Sequence, residues 1–175
     1  MAAGAAGRTE LFERLAELGI ETATREHPPL YTVEESRALR GEIPGAHSKN
    51  LFLKDKKGAI FLLVAEESTP IDMKGLHRVI GSARLSFGKP ELLEEVLGVT
   101  PGSVTPFAVI NDRQARVSVV LDAGLMQHDM LNFHPLENTA TTTIASRNLL
   151  TFLKASGHEP QIMDLATVAQ ATDNG

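Results

Sequence analysis

The chain has 175 residues, 42% hydrophobic and 22% charged, which is near average globular usage and enough for one sizeable core. It contains no cysteine, so a disulfide framework, thiolate zinc sites, iron–sulfur clusters and a thiol nucleophile are excluded, and covalent chemistry falls to oxygen or nitrogen. Lys and Arg number 17 against 22 acidic residues, and the net charge of -5 argues against broad wrapping of nucleic acid, though not against gripping a short end.

No apolar run approaches the ~20 residues of a membrane span, and the opening MAAGAAG lacks the basic-then-apolar layout of a secretory signal. The expectation is a cytoplasmic protein with no membrane partner. One domain is expected over residues 8–160, between a frayed N-terminus (1–7) and a C-terminal tail (161–175).

In chain order, Leu11, Phe12, Leu15 and Leu18 have helical spacing, with Thr9 as the expected cap and Gly19 as the stop. A short strand follows at Ile20–Thr24, then the turn-rich His27-Pro28-Pro29. A second helix runs from Thr32, whose hydroxyl and Glu35 make a capping box, to about Gly41. The apolar runs Leu51–Asp55 and Ala59–Val64, joined by Lys56-Lys57-Gly58, predict a hairpin. Helices are predicted at Asp72–Val79 and at Glu91–Leu97, the latter opened by Pro90 and closed by Gly98. Between them, Gly81–Gly88 reads as a loop with a short extended piece. Phe107–Ile110 and Val117–Leu121 flank Asn111-Asp112 as a second hairpin. Strands at Leu131–His134 and Thr139–Ile144 precede a last helix, Arg147–Lys154, capped by Ser146. Helices neither alternate strictly with strands nor segregate to one half, so the fold class is α+β with a mixed, largely antiparallel sheet and flanking helices.

Phosphate-binding loops ending in Lys-Ser/Thr, dinucleotide glycine fingerprints, nucleophile elbows and paired helical histidines are all absent. What is left is chemistry that needs few side chains. Lys49-Asn50 stands where the Gly/Pro/Ser-rich stretch Ile43–Ser48 turns into an apolar strand. An ammonium held there could polarise a carbonyl or hold a phosphate, although spacing alone fits a solvated strand-end lysine better. In Thr100–Pro106, two prolines bracket Gly102, and the amides of Ser103, Val104 and Thr105 could form an oxyanion cradle. A plain turn explains that pattern nearly as well. Asn132–Thr139 places the His134 imidazole near a carboxylate and an amide, and taken alone His134 reads as a structural histidine. The six histidines are scattered, so no metal site is expected. Lys74, His77, Arg78, Arg84 and Lys89 form a local basic strip suited to a few phosphates, or simply a solvated face.

Taken together, Lys49-Asn50 with Leu51-Phe52-Leu53-Lys54-Asp55, the stretch Gly81–Gly88, the Gly102-x-x-x-Pro106 loop and His134–Thr141 closely resemble the YbaK/prolyl-tRNA editing domain family. The nearest branch is that of freestanding bacterial alanine-specific deacylases, and the likeness spans about residues 8–160. The resemblance implies a mixed sheet with flanking helices and hydrolysis of amino acids wrongly attached to tRNA, here Ala-tRNA(Pro), without a cofactor or metal. It implies Lys49 as catalytic, and Asn50, Gly102, Ser103, Val104, Thr105, Pro106 and His134 as substrate-binding. Val33 and Phe133 are expected as apolar pocket walls contributed near the early strand and helix. Lys74, Arg78, Arg84 and Lys89 are the expected tRNA contacts. The partner is the mischarged acceptor end, with prolyl-tRNA synthetase or an elongation factor as transient company, and the protein is expected as a monomer. Competing readings are the same hydrolysis on Cys or Ser esters, and a non-catalytic module that binds a tRNA end or an amino acid.

Overall fold

The computed structural model describes residues 5–29 and 33–166. Its helices are α1 (Arg8–Glu17), α2 (Val33–Glu42), α3 (Leu76–Ile80), α4 (Pro90–Leu97) and α5 (Ser146–Ala155). Its strands are β1 (Thr22–Glu26), β2 (Ala46–Asp55), β3 (Ile60–Glu66), β4 (Leu85–Phe87), β5 (Val117–Asp122), β6 (Met130–Phe133), β7 (Ala140–Ala145) and β8 (Gln161–Met163). The sheet order is β1-β7-β6-β2-β3-β5-β8, with β4 also paired to β2. The β1–β7, β6–β7, β2–β3 and β2–β4 pairings are antiparallel, and β2–β6, β3–β5 and β5–β8 are parallel. The α+β class with a mixed, largely antiparallel sheet therefore holds. No helix among the described residues is long and apolar enough to cross a membrane.

Strand alternation divides the core between two faces. Leu62 and Val64 of β3 join Leu11, Leu15, Phe52, Leu97, Phe107, Leu131, Phe133 and Phe152 on one side. Leu63 and Ala65 join Leu53, Leu76, Val120 and Leu165 on the other. Burial on both faces is why β3 reads as a nearly continuous apolar run.

Several expectations shift. The second hairpin does not form: Pro106–Asn111 is a 3-10 helix, started by a proline without an N–H and by the Thr105 hydroxyl, which accepts from Phe107 N at 3.3 Å. A four-residue apolar run has no period that separates strand from helix, and β5 instead pairs in parallel with β3 and β8. Helix α1 is entered from Gly7, whose N–H donates to the Glu10 carboxylate at 2.9 Å, rather than capped by Thr9. Ser146 is the first residue of α5 and its side chain caps nothing. The helix predicted over Asp72–Val79 is confined to α3. Thr32 lies outside the described residues.

Both ends of the domain also extend further than expected. Ala6 N donates to Asn111 Oδ1 at 2.7 Å. Residues 161–163, expected in a tail, pair with β5, and fully buried Leu165 donates its N–H to Asp122 at 2.9 Å.

The position of β2 depends on one buried amide. The parallel β2–β6 contact spans only Ala46↔Leu131 and His47↔Asn132. Asn132, 3% exposed, reinforces it: its Nδ2 donates to Pro44 O at 3.1 Å and Ala46 O at 3.2 Å, and its Oδ1 accepts from Thr143 Oγ1 at 2.5 Å. Gly45, at φ +102°, makes room, because a Cβ there would lie 3.0 Å from both Asn132 Nδ2 and Met130 O.

Asn132→Ala removes the side-chain donor from the buried Ala46 carbonyl and from the Pro44 carbonyl, and the expected loss is ~1–3 kcal/mol in urea unfolding. A loss below ~0.5 kcal/mol would mean that strand pairing alone holds β2.

Candidate active site

β2 is bordered by β3 along one edge. On the opposite edge it meets β6 only at Ala46–His47 and β4 only at Leu53–Asp55, so the stretch from Ser48 to Phe52 has no strand partner there among the described residues. Lys49 and Asn50 fall in this stretch. Lys49 is therefore inside a ten-residue strand rather than at its mouth, because the Asn132 clamp draws Ala46–Ser48, expected as loop, into β2. The Lys49 side chain is half-buried, and its ammonium donates to the backbone carbonyl of Thr69.

Asn50 is tied in the other direction. Its Nδ2 donates to Ser48 Oγ at 3.2 Å, and Ser48 Oγ donates to Asn132 O at 2.9 Å, so β2 is joined to the strand that ends just before His134. Residues 48 and 50 share a strand face, which is why the side chains meet.

His134 opens the β6–β7 connection. Its Nδ1 lies 3.1 Å from Ala140 O, a carbonyl that can only accept, so Nδ1 carries the hydrogen and Nε2 of the neutral ring keeps the lone pair. Burial holds this imidazole below its ordinary 6.5, opposed by the bond to Ala140 and assisted by the nearby His27. The same connection contains Leu136 at φ +71°, a left-handed conformation that a bulky side chain rarely takes. His27, noted in the sequence only as part of a turn, sits with its ring 6.4 Å from that of His134. It is fixed by Thr141 Oγ1 at 2.8 Å from Nε2 and by Pro28 O at 2.9 Å from Nδ1. Nothing in local spacing joins residues 27 and 134, and only the β1–β7 pairing does.

The Gly102–Pro106 loop packs against this connection. A Cβ on Gly102 would lie 3.4 Å from Asn138 Nδ2, and Phe107, just past the loop, meets the Phe133 ring edge-on at 5.8 Å. Ser103, Thr105 and Pro106 are buried. The Ser103 amide donates to Thr100 O at 2.9 Å, which removes it from the expected cradle. Phe133, expected in a pocket wall, is 2% exposed and packed in the core. The side chain of Val33 lies outside the described residues. A groove of about 500 Å³ does run between the exit of β1 and α2, lined by His27, Pro28, Pro29, Ala38 and Leu39 among others.

The contacts thus join the predicted residues in one series: Asn50 is linked through Ser48 to Asn132 of β6, two residues before His134, His27 lies beside His134, and the Gly102–Pro106 loop packs on the connection that His134 opens. Lys49 adjoins it in sequence while its ammonium is held by the loop after β3. The exposed Lys74, Arg78, Arg84 and Lys89 form a separate surface around α3 and β4. Lys56 N donates to Arg84 O at 3.1 Å and Ala83 N donates to the Asp55 carboxylate at 3.1 Å, so the β2–β3 hairpin tip adjoins this strip.

The profile of the aminoacyl-tRNA editing domain matches residues 27–152. The chain is 39% identical over 156 residues to the prolyl-tRNA editing protein ProX of Acetoanaerobium sticklandii, covering 89% of this chain and 95% of that one. It is 40% identical over 158 residues to prolyl-tRNA synthetase associated domain-containing protein 1 of Danio rerio, covering 89% and 86%. A solved structure described as a candidate trans-editing enzyme for prolyl tRNA synthetase shares the fold, with a TM-score of 0.67 at 21% identity over 91% of this chain and 97% of that one. With its profile matched from His27 to Phe152 and these relatives aligned over most of their lengths, this chain belongs to the aminoacyl-tRNA editing domain family and is an enzyme of that editing type.

Proposed function

We propose that this protein acts in trans on tRNA(Pro) mischarged with alanine, hydrolysing the ester that joins the amino acid to the terminal ribose. The observation that carries the reading is the hydrogen-bonded chain from Asn50 through Ser48 to the strand that ends just before His134, whose following connection meets the Gly102 loop. The catalytic residue is Lys49, next to Asn50 on the unpartnered edge of β2. The names of the prolyl-tRNA editing relatives support the choice of tRNA.

An aminoacyl ester is already activated, so positioning and modest charge stabilisation suffice. Water adds to the carbonyl carbon while the ribose hydroxyl beside the ester helps to orient it. The developing oxyanion is steadied by loop amides, a task left to Val104 and Thr105 once Ser103 is committed to Thr100. Lys49 turns from Thr69 to supply positive charge at the carbonyl or the terminal phosphate. The bond to the ribose oxygen then breaks, and that oxygen takes a proton derived from the water. His134, neutral with its Nε2 lone pair available, accepts from the amino acid and orients it.

Selectivity is steric. A synthetase pocket shaped for proline rejects the smaller alanine by only ~1–3 kcal/mol, and a second, tighter pocket on another chain supplies the rest. The strip of Lys74, Arg78, Arg84 and Lys89 takes phosphates of the acceptor end. Encounters with prolyl-tRNA synthetase or an elongation factor are transient, and the protein works as a cytoplasmic monomer.

Lys49→Ala is expected to abolish deacylation of Ala-tRNA(Pro) with the unfolding midpoint unchanged, and full activity in that variant would refute its role. A panel of tRNAs charged with Ala, Cys, Ser and Pro should show Ala esters lost fastest. Binding without ester loss would favour a non-catalytic module instead.

A pH dependence also follows. Above 6.5 the His134 ring is neutral both folded and unfolded. As pH falls below that value the unfolded chain takes the proton first, so stability declines through the window down to the depressed folded value. The wild type should lose stability there relative to His134→Gln, and equal acid sensitivity of the two would contradict a buried neutral ring.

A further inference from the structure

The Asn50 amide contains an unmet acceptor. Ser48 Oγ has one hydrogen, and at 2.9 Å from Asn132 O, a carbonyl that can only accept, that hydrogen is committed. Toward Asn50, therefore, Ser48 Oγ can only accept, which it does from Nδ2 at 3.2 Å. The flipped amide would set oxygen against oxygen, so the orientation is fixed. Oδ1 is the atom turned away, closed off from solvent and without a hydrogen-bond partner. Buried acceptors in native proteins are nearly always satisfied, and an exception beside a reactive lysine marks a place that a bound molecule completes. The anchor beyond Ser48 is rigid as well, because the Asn132 side chain is bonded to Pro44, Ala46 and Thr143.

We propose that Ser48 is a positioning residue for the deacylation site: by locking the Asn50 amide it presents Oδ1 to a donor hydrogen on the aminoacyl-ribose end of the substrate. The inference rests on the reading that Lys49 and Asn50 form that site. Two groups on such an end supply the donor, the α-ammonium and the free ribose hydroxyl. Ser48 touches neither and acts only through Asn50.

The test uses the full chain and steady-state deacylation of Ala-tRNA(Pro). Ser48→Ala should lower kcat/KM roughly tenfold, while Ser48→Thr, which keeps the hydroxyl and suits a strand, stays within about threefold of wild type. In an Asn50→Ala background, Ser48→Ala should cost nothing further. Wild-type activity in Ser48→Ala, no rescue by Thr, or an undiminished loss in the Asn50→Ala background would each overturn the proposal. Two substrates identify the donor: a propionyl ester lacking the amino group, and an alanyl ester on a 2′-deoxy terminal adenosine. The Ser48→Ala penalty should vanish with one of them, and its persistence with both would overturn the proposal. A readout independent of activity is the Asn50 side-chain amide in NMR spectra. Its Nδ2 hydrogens should exchange slowly in the wild type and quickly in Ser48→Ala, and equal exchange would exclude the lock. If the wild type hydrolyses no mischarged tRNA, the functional reading falls, while the amide exchange still decides whether Ser48 holds Asn50.

Discussion

The architecture turns on a buried carboxamide. Asn132 uses both of its donor hydrogens on the chain entering β2 and its oxygen on β7, so one side chain ties three strands where main-chain pairing is thin. A buried amide is costly unless each of its groups is met, and when they are met only one arrangement of the surrounding backbone satisfies them. Here that arrangement extends β2 back to Ala46, places Lys49 within a strand, and leaves the following residues unpaired on one edge. The positive-φ glycine beside it and the two-residue ladder make sense as accommodations to this amide.

β2 consequently belongs to two halves of the sheet. Toward its C-terminal end it is a core strand, with Leu53 fully buried against Leu63 and Leu76. Toward its N-terminal end its polar side chains are tied to β6, Asn50 through Ser48 and Ser48 to Asn132 O, and the connection that follows β6 holds a left-handed leucine and His134, with His27 beside it. Polar groups and backbone strain are tolerated there because the apolar layers on both faces of β3 supply the stability that this end does not.

Much of this was legible residue by residue. Helical spacing located α1 and α4, with Pro90 at the start and Gly98 at the end of the latter doing what those residues do in any helix. The Lys56-Lys57-Gly58 turn announced the β2–β3 hairpin, and four threonines announced β7. Phe107–Ile110 was not legible, because a short apolar stretch is compatible with either period and here the Pro106 ring and Thr105 hydroxyl decided for a 3-10 turn. Nor was β8 legible: Gln161-Ile162-Met163 is too short to show a period, and it forms a strand because β5 offers a free edge and Asp122 receives Leu165.

The proposed site divides along the same line. Lys49, Asn50, the Gly102 loop and His134 were proposed through the resemblance of several motifs to one family, not through the spacing of any one of them, and such motifs are carried by neighbours in the chain and survive without coordinates. Ser48 and His27 carry no such mark. Their significance comes from hydrogen-bond partners 84 and 114 positions away, brought near by strand pairing. Which amide is free, which carbonyl is occupied and which nitrogen keeps its lone pair depend on distances of about 3 Å between atoms remote in the chain, and only the packed sheet specifies those.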